Sequence, residues 1–356
     1  MARRKAKPVR VGSLTLGGQA PIYIQSMTNT DTRDVAATVA QILELEAAGC
    51  EIVRCSVYDE ACAKAIGAIK AAIHIPLVAD IHFNAALAVA AVENGVDKLR
   101  INPGNIGSRA RVERVAHAAR AHGVPIRVGV NSGSLSREML ERYGGPTAEA
   151  LAQSALEEVA VLESVGFEDI VVAIKSTGVQ QTVEANRKLA ASCGYPIHLG
   201  VTESGTVGYG SIKSAVGIGT LLMEGIGDTV RVSLSGSPVP EVPAAQQILQ
   251  ACGLRVFCPE IISCPTCGRC GIDVEAMAGE VARRVRHVTR PLKIAVMGCV
   301  VNGPGEAREA DFGLAGGKEY GMVFSRGKRP RKVARDRLLE ELVRELEEAG
   351  VIEPRS

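Results

Sequence analysis

The sequence predicts an α/β protein: an N-terminal (β/α)8 TIM barrel over residues 1–255, then a small α+β domain over residues 256–356. Three observations carry this. Short β-branched runs alternate with Ala-rich helical stretches, and eight such units precede residue 255. Such alternation means parallel strands joined by right-handed crossovers, and eight units in about 250 residues fit a closed barrel better than an open doubly wound sheet. No GxGxxG follows the first strand candidate, which disfavours a dinucleotide fold. Near residue 256 the rhythm stops and cysteines cluster, so a second domain begins there.

Composition agrees. A chain of 356 residues is too long for one average domain. With 46% apolar and 22% charged residues it reads as soluble and globular. The formal net charge of +2 gives no bulk electrostatic reason to expect nucleic acid. The basic start, Met1-Ala-Arg-Arg-Lys-Ala-Lys7, leads into no apolar run and so does not read as a secretory signal. No run approaches the length that spans a bilayer. Ten cysteines without such a signal predict a reducing cytoplasm, with thiols kept for metal or for packing. Cys50, Cys55, Cys62, Cys193 and Cys252 sit among apolar or helical residues and read as small core residues.

In chain order the strand candidates are Pro21–Met27, Glu51–Val57, Pro76–Ile81, Lys98–Asn102, Pro125–Asn131, Asp169–Lys175, Pro196–Thr202 and Thr229–Ser235. Helical spacing of apolar residues marks Val35–Ala48, Ala85–Asn94, Ala148–Val165 and Thr182–Ala191 between them, and Pro240–Cys252 closes the barrel. Gly49, Gly95, Gly123, Gly166 and Gly194 stand where a left-handed residue would end a helix. Beyond residue 256 the pattern predicts a helix at Val274–His287 and a buried strand at Leu292–Met297. A short strand near Met322–Ser325 and a helix at Arg335–Ala349 follow. The basic run Lys328–Lys332 reads as a solvated turn.

Barrel enzymes build their sites at the C-terminal ends of the strands, and polar residues fall there with regularity. The pairs Arg54/Ser56, Asp80/His82, Arg100/Asn102, Arg127/Asn131 and Arg231/Ser233 are each separated by an even number of residues, so each pair shares a strand face. Strand six ends in Lys175-Ser176 and strand seven in Thr202-Glu203. With those faces inward, Arg54, Arg100, Arg127, Lys175 and Arg231 converge on one mouth. Buried cations repel and lose hydration, so they need an anion. Asp80 and Glu203 offset two, which leaves an excess suited to phosphate or diphosphate, whose oxygens match arginine forks. His82 beside Asp80 is placed to be oriented as a donor or acid.

The second domain carries Cys264-Pro-Thr-Cys267 and, across a long insertion, Cys299-Val-Val-Asn-Gly-Pro-Gly-Glu306. Two thiols three residues apart grip one metal centre from a single turn, and a third delivered from a distant segment closes the site. Glu306 follows a Gly-Pro-Gly bend that turns it back toward such a centre. A carboxylate is a harder and more labile iron ligand than a thiolate, so this set would open an iron to substrate. Cys270 completes CxxCxxC and supplies a possible fourth sulfur. Spacing alone therefore leaves an iron–sulfur cluster, a closed four-cysteine zinc site and a redox dithiol as alternatives. With zinc the chain would be a non-redox phosphate-binding barrel with a structural metal domain.

Six strings carry a resemblance to a known family. They are Pro21-Ile-Tyr-Ile-Gln-Ser-Met-Thr-Asn-Thr30, Val78-Ala-Asp-Ile-His-Phe83, Leu99-Arg-Ile-Asn-Pro-Gly-Asn105, Gly129-Val-Asn-Ser-Gly-Ser-Leu135, Ile262-Ser-Cys-Pro-Thr-Cys-Gly-Arg269 and Gly298-Cys-Val-Val-Asn-Gly-Pro-Gly-Glu306. The chain resembles the two-domain bacterial 4-hydroxy-3-methylbut-2-enyl diphosphate synthases of the methylerythritol phosphate route to isoprenoids. The resemblance implies a cytoplasmic oxidoreductase that opens 2-C-methyl-D-erythritol 2,4-cyclodiphosphate reductively, removing water, at a [4Fe–4S] cluster. It implies Cys264, Cys267, Cys299 and Glu306 as cluster ligands, with Glu306 the one that gives way to substrate. Arg54, Arg100, Asn102, Arg127, Asn131, Lys175, Arg231 and Ser233 are implied as the diphosphate site, and Asp80, His82 and Glu203 as polar catalytic groups, Glu203 handling protons. Cys270 departs from the family pattern. Reduced flavodoxin or ferredoxin is the implied electron donor, and a homodimer with active sites shared between chains the implied assembly. The short linker Gly253-Leu254-Arg255 agrees: the last barrel helix runs away from the mouth for roughly 20 Å, too far for three residues to lead the chain back.

Overall fold

The computed structural model describes residues 3–301, 305 and 309–353. The chain divides into two compact units, Met1–Leu254 and Arg255–Ser356.

The first unit opens with an antiparallel hairpin, β1 (Val9–Val11) and β2 (Leu14–Leu16). Eight parallel strands follow: β3 (Tyr23–Met27), β4 (Ile52–Ser56), β5 (Leu77–Asp80), β6 (Lys98–Ile101), β7 (Ile126–Asn131), β8 (Ile170–Lys175), β9 (His198–Leu199) and β10 (Thr229–Val230). Their order, β8-β7-β6-β5-β4-β3-β10-β9, is closed by a parallel bridge between Val172 and Ile197. This is the expected barrel, with its last two ladders shorter than the β-branched runs suggested.

One face of each strand points inward, and its chemistry changes along the barrel axis. At one end Ile52, Val78 and Val171 pack with Val9, Val11 and Leu16, so the hairpin plugs that end with apolar side chains. Two residues further along β4 and β5 stand Arg54 and Asp80, and four along β8 stands Lys175. The period of two therefore puts charge at the C-terminal mouth and hydrocarbon at the floor.

Local signals set the helix boundaries. Asp34, Asp59 and Thr147 accept hydrogen bonds from the backbone N–H groups of Ala37, Cys62 and Ala150 and start their helices. Gly49, Gly95, Gly123 and Gly166 take positive φ and end helices. Gly194 does not. The helix Val179–Ser192 leaves through extended Cys193, and the Gly194 carbonyl accepts the Lys7 N–H. Cys50, Cys55, Cys62 and Cys193 are buried, and Cys252 is half-buried.

The second unit is a five-stranded sheet, in order β11 (Glu260–Ser263), β12 (Lys293–Met297), β13 (Phe312–Ala315), β14 (Tyr320–Ser325) and β15 (Arg331–Ala334). The first three are parallel and the last two antiparallel. Two helices, Val274–Val285 and Leu338–Glu348, supply apolar stripes to its core. The basic run is not only a solvated turn. Arg331 and Lys332 open β15, and Lys328 and Arg331 each stand 2.7 Å from the buried carboxylate of Glu345.

Candidate active site at the barrel mouth

A cavity with an empty volume of about 480 Å³ opens at the C-terminal ends of the barrel strands. Arg54, Asp80, His82, Arg100, Arg127, Asn131, Lys175, Thr202, Arg231 and Ser233 line it. Five cations and one carboxylate thus share one chamber. Asp80 sits 3.1 Å from Arg100 and 3.7 Å from Arg54. Arg100 also reaches the His82 Nε2 at 3.0 Å and donates to the Gly129 carbonyl at 3.3 Å. Arg54 donates from Nε and Nη2 to the Met27 thioether at 3.0 and 2.8 Å, and Arg231 from Nη1 at 3.5 Å. A thioether is a weak acceptor, so the nitrogens turned to Met27 are weakly satisfied, while Arg54 also faces Asp80 and Arg231 faces Glu241.

Arg127 is less satisfied still. It is 2% exposed, and its Nε and Nη1 have no hydrogen-bond partner; the Arg100 Nε is likewise orphaned. Burial, then the neighbouring Arg54 and Arg100 charges, pushes the Arg127 guanidinium well down. Burial followed by the Arg127 and Arg231 charges does the same to Lys175. Arg54 is pushed down to about 10, mainly by burial. Burial would raise the Asp80 carboxyl, but Arg54, Arg100 and Arg127 overcome it and hold it below the usual range. Buried donors without partners and mutually repelling charges around one cavity describe a receptor for a compact polyanion.

Two glycines make the crowding possible. A Cβ on Gly129 of β7 would stand 2.8 Å from the Arg100 Nε, and one on Gly200 would stand 2.7 Å from the Lys175 Nζ. Each glycine is the slot through which a neighbouring strand's cation reaches the chamber. Their legible signal was glycine inside a strand pattern.

Not every expected residue arrives. Asn102 does not line the cavity: β6 ends at Ile101, Pro103 starts a short helix, and the buried Asn102 Oδ1 has no partner. Glu203 is exposed and Thr202 lines the cavity instead. Glu203 is nevertheless the one non-glycine residue at positive φ (52°) among those described, a strained backbone of the kind that clusters at functional sites. The second counter-charge is Glu241, at the start of the helix Glu241–Ala251. Its carboxylate oxygens lie 3.3 Å from the Arg231 Nε and Nη2, and it also accepts from Ser26 and from the Leu234 N–H. It was missed because it stands on a helix ten residues after its partner.

In the second unit β11 and β12 run parallel with Ser263 beside Val296, so Cys264 and Cys299 leave adjacent strand ends. The Gly298 N–H donates to the Cys264 Sγ at 3.1 Å, and the Gly271 N–H to the Gly298 carbonyl at 2.8 Å. A Cβ on Gly298 would stand 2.5 Å from the Cys270 Sγ and 3.4 Å from the Cys264 Sγ, so only glycine fits between these thiols. The Cys270 thiol donates to the Ile272 carbonyl, and Cys267 is exposed. Among the described residues no three candidate ligands are gathered at metal-holding distance. Glu306 lies outside the described residues. The donors at this sheet end are soft sulfur with a backbone N–H already turned to one of them, a chemistry that suits an iron–sulfur centre.

The comparisons with known proteins cover both units. The profile of the GcpE TIM-barrel domain matches residues 6–246, and that of the GcpE protein C-terminal domain matches residues 260–348. A 4-hydroxy-3-methylbut-2-en-1-yl diphosphate synthase (flavodoxin) of Caldanaerobacter subterraneus subsp. tengcongensis is 54% identical over 345 residues, 97% of each chain. One of the same description from Nitratidesulfovibrio vulgaris is 56% identical over 331 residues, 93% of this chain and 86% of the relative. Among solved structures, 7,8-dihydropteroate synthase of Vibrio fischeri superposes with a TM-score of 0.51 at 15% identity, over 70% of this chain and 97% of the other, a likeness of fold alone.

Proposed function

The chain belongs to the GcpE family, and from that premise we propose that it converts 2-C-methyl-D-erythritol 2,4-cyclodiphosphate to 4-hydroxy-3-methylbut-2-enyl diphosphate. The reaction takes two electrons and one net proton, breaks the ring C–O bond and releases water. The observation that carries the reading is the buried Arg127 guanidinium, two of its three nitrogens unpartnered in a chamber shared with four further cations.

Arg54, Arg100, Arg127, Lys175 and Arg231 would hold the diphosphate, with Asn131 and Ser233 beside them. Bidentate contacts fix the phosphates and hence the face the carbon ring presents. As the C–O bond opens, negative charge stays on the phosphate oxygen, and donors already in place stabilise it without reorganising. Asp80 orients Arg100 and Arg54, and His82, whose Nε2 accepts from the Arg100 Nη1 and so leaves Nδ1 to carry the proton, is proposed as a polar catalytic group beside them. Glu203 is assigned to proton handling at the edge of the mouth. Cys264, Cys267, Cys299 and Glu306 would hold a [4Fe–4S] cluster, which supplies the electrons and, with a labile carboxylate ligand, an iron open to a substrate oxygen. Reduced flavodoxin is the proposed donor, with ferredoxin as the other candidate. The assembly is proposed as a homodimer with shared active sites, in a reducing cytoplasm that suits a chain of ten cysteines.

Two experiments test this. Arg100→Ala, Arg127→Ala and Arg231→Ala should each weaken substrate binding by roughly ten- to a hundred-fold, since a charged hydrogen bond contributes about 1.5–3 kcal/mol. Wild-type affinity in all three, by calorimetry, would sink the anion site. Anaerobically purified protein should be brown, with iron and acid-labile sulfide. Cys264→Ser should lose the colour, whereas Glu306→Ala should keep most of it and lose turnover. Colourless zinc protein, or full turnover by Glu306→Ala, would overturn the cluster assignment.

A further inference from the structure

Beneath the charged mouth lies a second polar layer that the reaction described above does not use. Lys98 stands two residues before Arg100 on β6 and meets Gln25 of β3, while His198 of β9 and Thr229 of β10 meet each other. All four are buried, with Lys98, His198 and Thr229 completely so. The Lys98 Nζ has one hydrogen bond, to the Gln25 Oε1 at 3.2 Å, and no carboxylate stands within ion-pair distance among the described residues. The His198 Nδ1 meets the Thr229 hydroxyl at 2.8 Å, while its Nε2 and the Gln25 Nε2 have no partner. The charges that bear on Lys98 are the guanidiniums of Arg127 and Arg54, both repulsive. Around His198 they are Lys175, Arg127, Lys98 and Arg54.

A primary amine sealed from water, with a single amide oxygen as its acceptor, no carboxylate in reach and two guanidinium charges bearing on it, is disfavoured as the ammonium. The repulsion that disfavours the ammonium comes from the same arginines that face the chamber. An anion bound to those arginines cancels their field at Lys98, and the balance at the amine then shifts toward the ammonium.

We infer that Lys98 is the charge-compensating base of the barrel, taking up a proton when the dianionic substrate enters the mouth. The balance is simple: the neutral amine and one proton from solvent give the ammonium, with no electron transferred. The consequence follows by linkage. The complex binds more protons than the free protein, so substrate affinity falls as pH rises through a window below the ordinary lysine value of 10.5. Lys98 touches no reacting atom. It is a positioning residue for charge, and the inference rests on the reading of the mouth as the seat of a cyclic diphosphate.

The test is calorimetry of the full-length protein with 2-C-methyl-D-erythritol 2,4-cyclodiphosphate and no reductant, so that nothing turns over. Each phosphorus of this ligand carries one strongly acidic group, so its own charge does not change near neutrality. Binding heats are measured at about pH 8 in two buffers of different ionisation enthalpy, where the amine is expected to gain up to about one proton per site. The wild type should show buffer-dependent heats corresponding to net proton uptake. Lys98→Met, close in length and apolar, and Lys98→Gln should bind with that uptake lost. Binding with buffer-independent heat in the wild type, or equal uptake in wild type and both variants, overturns the role of Lys98 and leaves the anion site standing. Absence of binding by the wild type overturns both.

Discussion

At the scale of the residue, the mouth is governed by where a side chain is missing as much as by where one is charged. Gly129 and Gly200 are slots: a Cβ at either would press on the Arg100 Nε or the Lys175 Nζ, at 2.8 and 2.7 Å. Gly129→Ala should therefore leave far-UV dichroism unchanged while displacing Arg100 from Asp80 and the Gly129 carbonyl. A loss of roughly ten-fold in substrate affinity is the expected result, and wild-type affinity would show that Arg100 is free to move. The cations were legible in the sequence because a strand alternates and barrel sites lie at strand ends. Asn102 and Glu203 do not line the cavity: the chain turns into a short helix at Pro103 directly after Asn102, and Glu203 is exposed next to Thr202, which does line it. Glu241 was not legible: a counter-ion supplied by a helix declares itself only through folding.

At the scale of the element, the antiparallel end of the second unit is held by charge rather than by hydrocarbon alone. Glu345, 4% exposed on the last helix, accepts from Lys328, Ser325 and Arg331, and so ties β14 and β15 to that helix. The Lys328 hydrogen bond, with those from Ser325 and Arg331, outweighs burial and holds its carboxyl at about 2, against an ordinary 4.5. The folded carboxyl pKa is depressed, so this stabilisation is full above about 4.5 and is lost as pH falls toward 2. Thermal unfolding of the full chain followed from about pH 5 to pH 3 should show stability falling with acid. In Glu345→Gln that fall should be shallower. Equal slopes in the two proteins would mean that the pairs are too exposed on the cationic side to matter. Both helices of the second unit and five of the barrel's were legible from apolar spacing, whereas Glu60–Ala72, Arg109–Ala121 and Val207–Met223 were not singled out. β1, β2, β11, β13 and β15 were not legible either, since strands of three or four residues are too short to show an alternating signature.

At the scale of the whole molecule, the proposal of shared active sites is tested by complementation. An inactive Arg100→Ala chain mixed with an inactive Cys299→Ser chain should recover part of the activity, because one of the two sites in a heterodimer then carries neither lesion. No recovery, with heterodimers shown to form, would point to sites built within one chain. The class of architecture, the eight strands in their order along the chain and the cations at their ends were all present in the linear string. They rest on periodicity, and periodicity is a local property that a string records. Which charges are paired and which are not was settled by the closed fold. Barrel closure brings β3 beside β10 and sets Glu241 against Arg231, it leaves the buried Arg127 donors without a partner, and it seals Lys98 under the guanidiniums of other strands. Hydrogen bonding and Coulomb interaction depend on distances of a few ångströms between residues far apart in the chain, and those distances exist only once the sheet has closed.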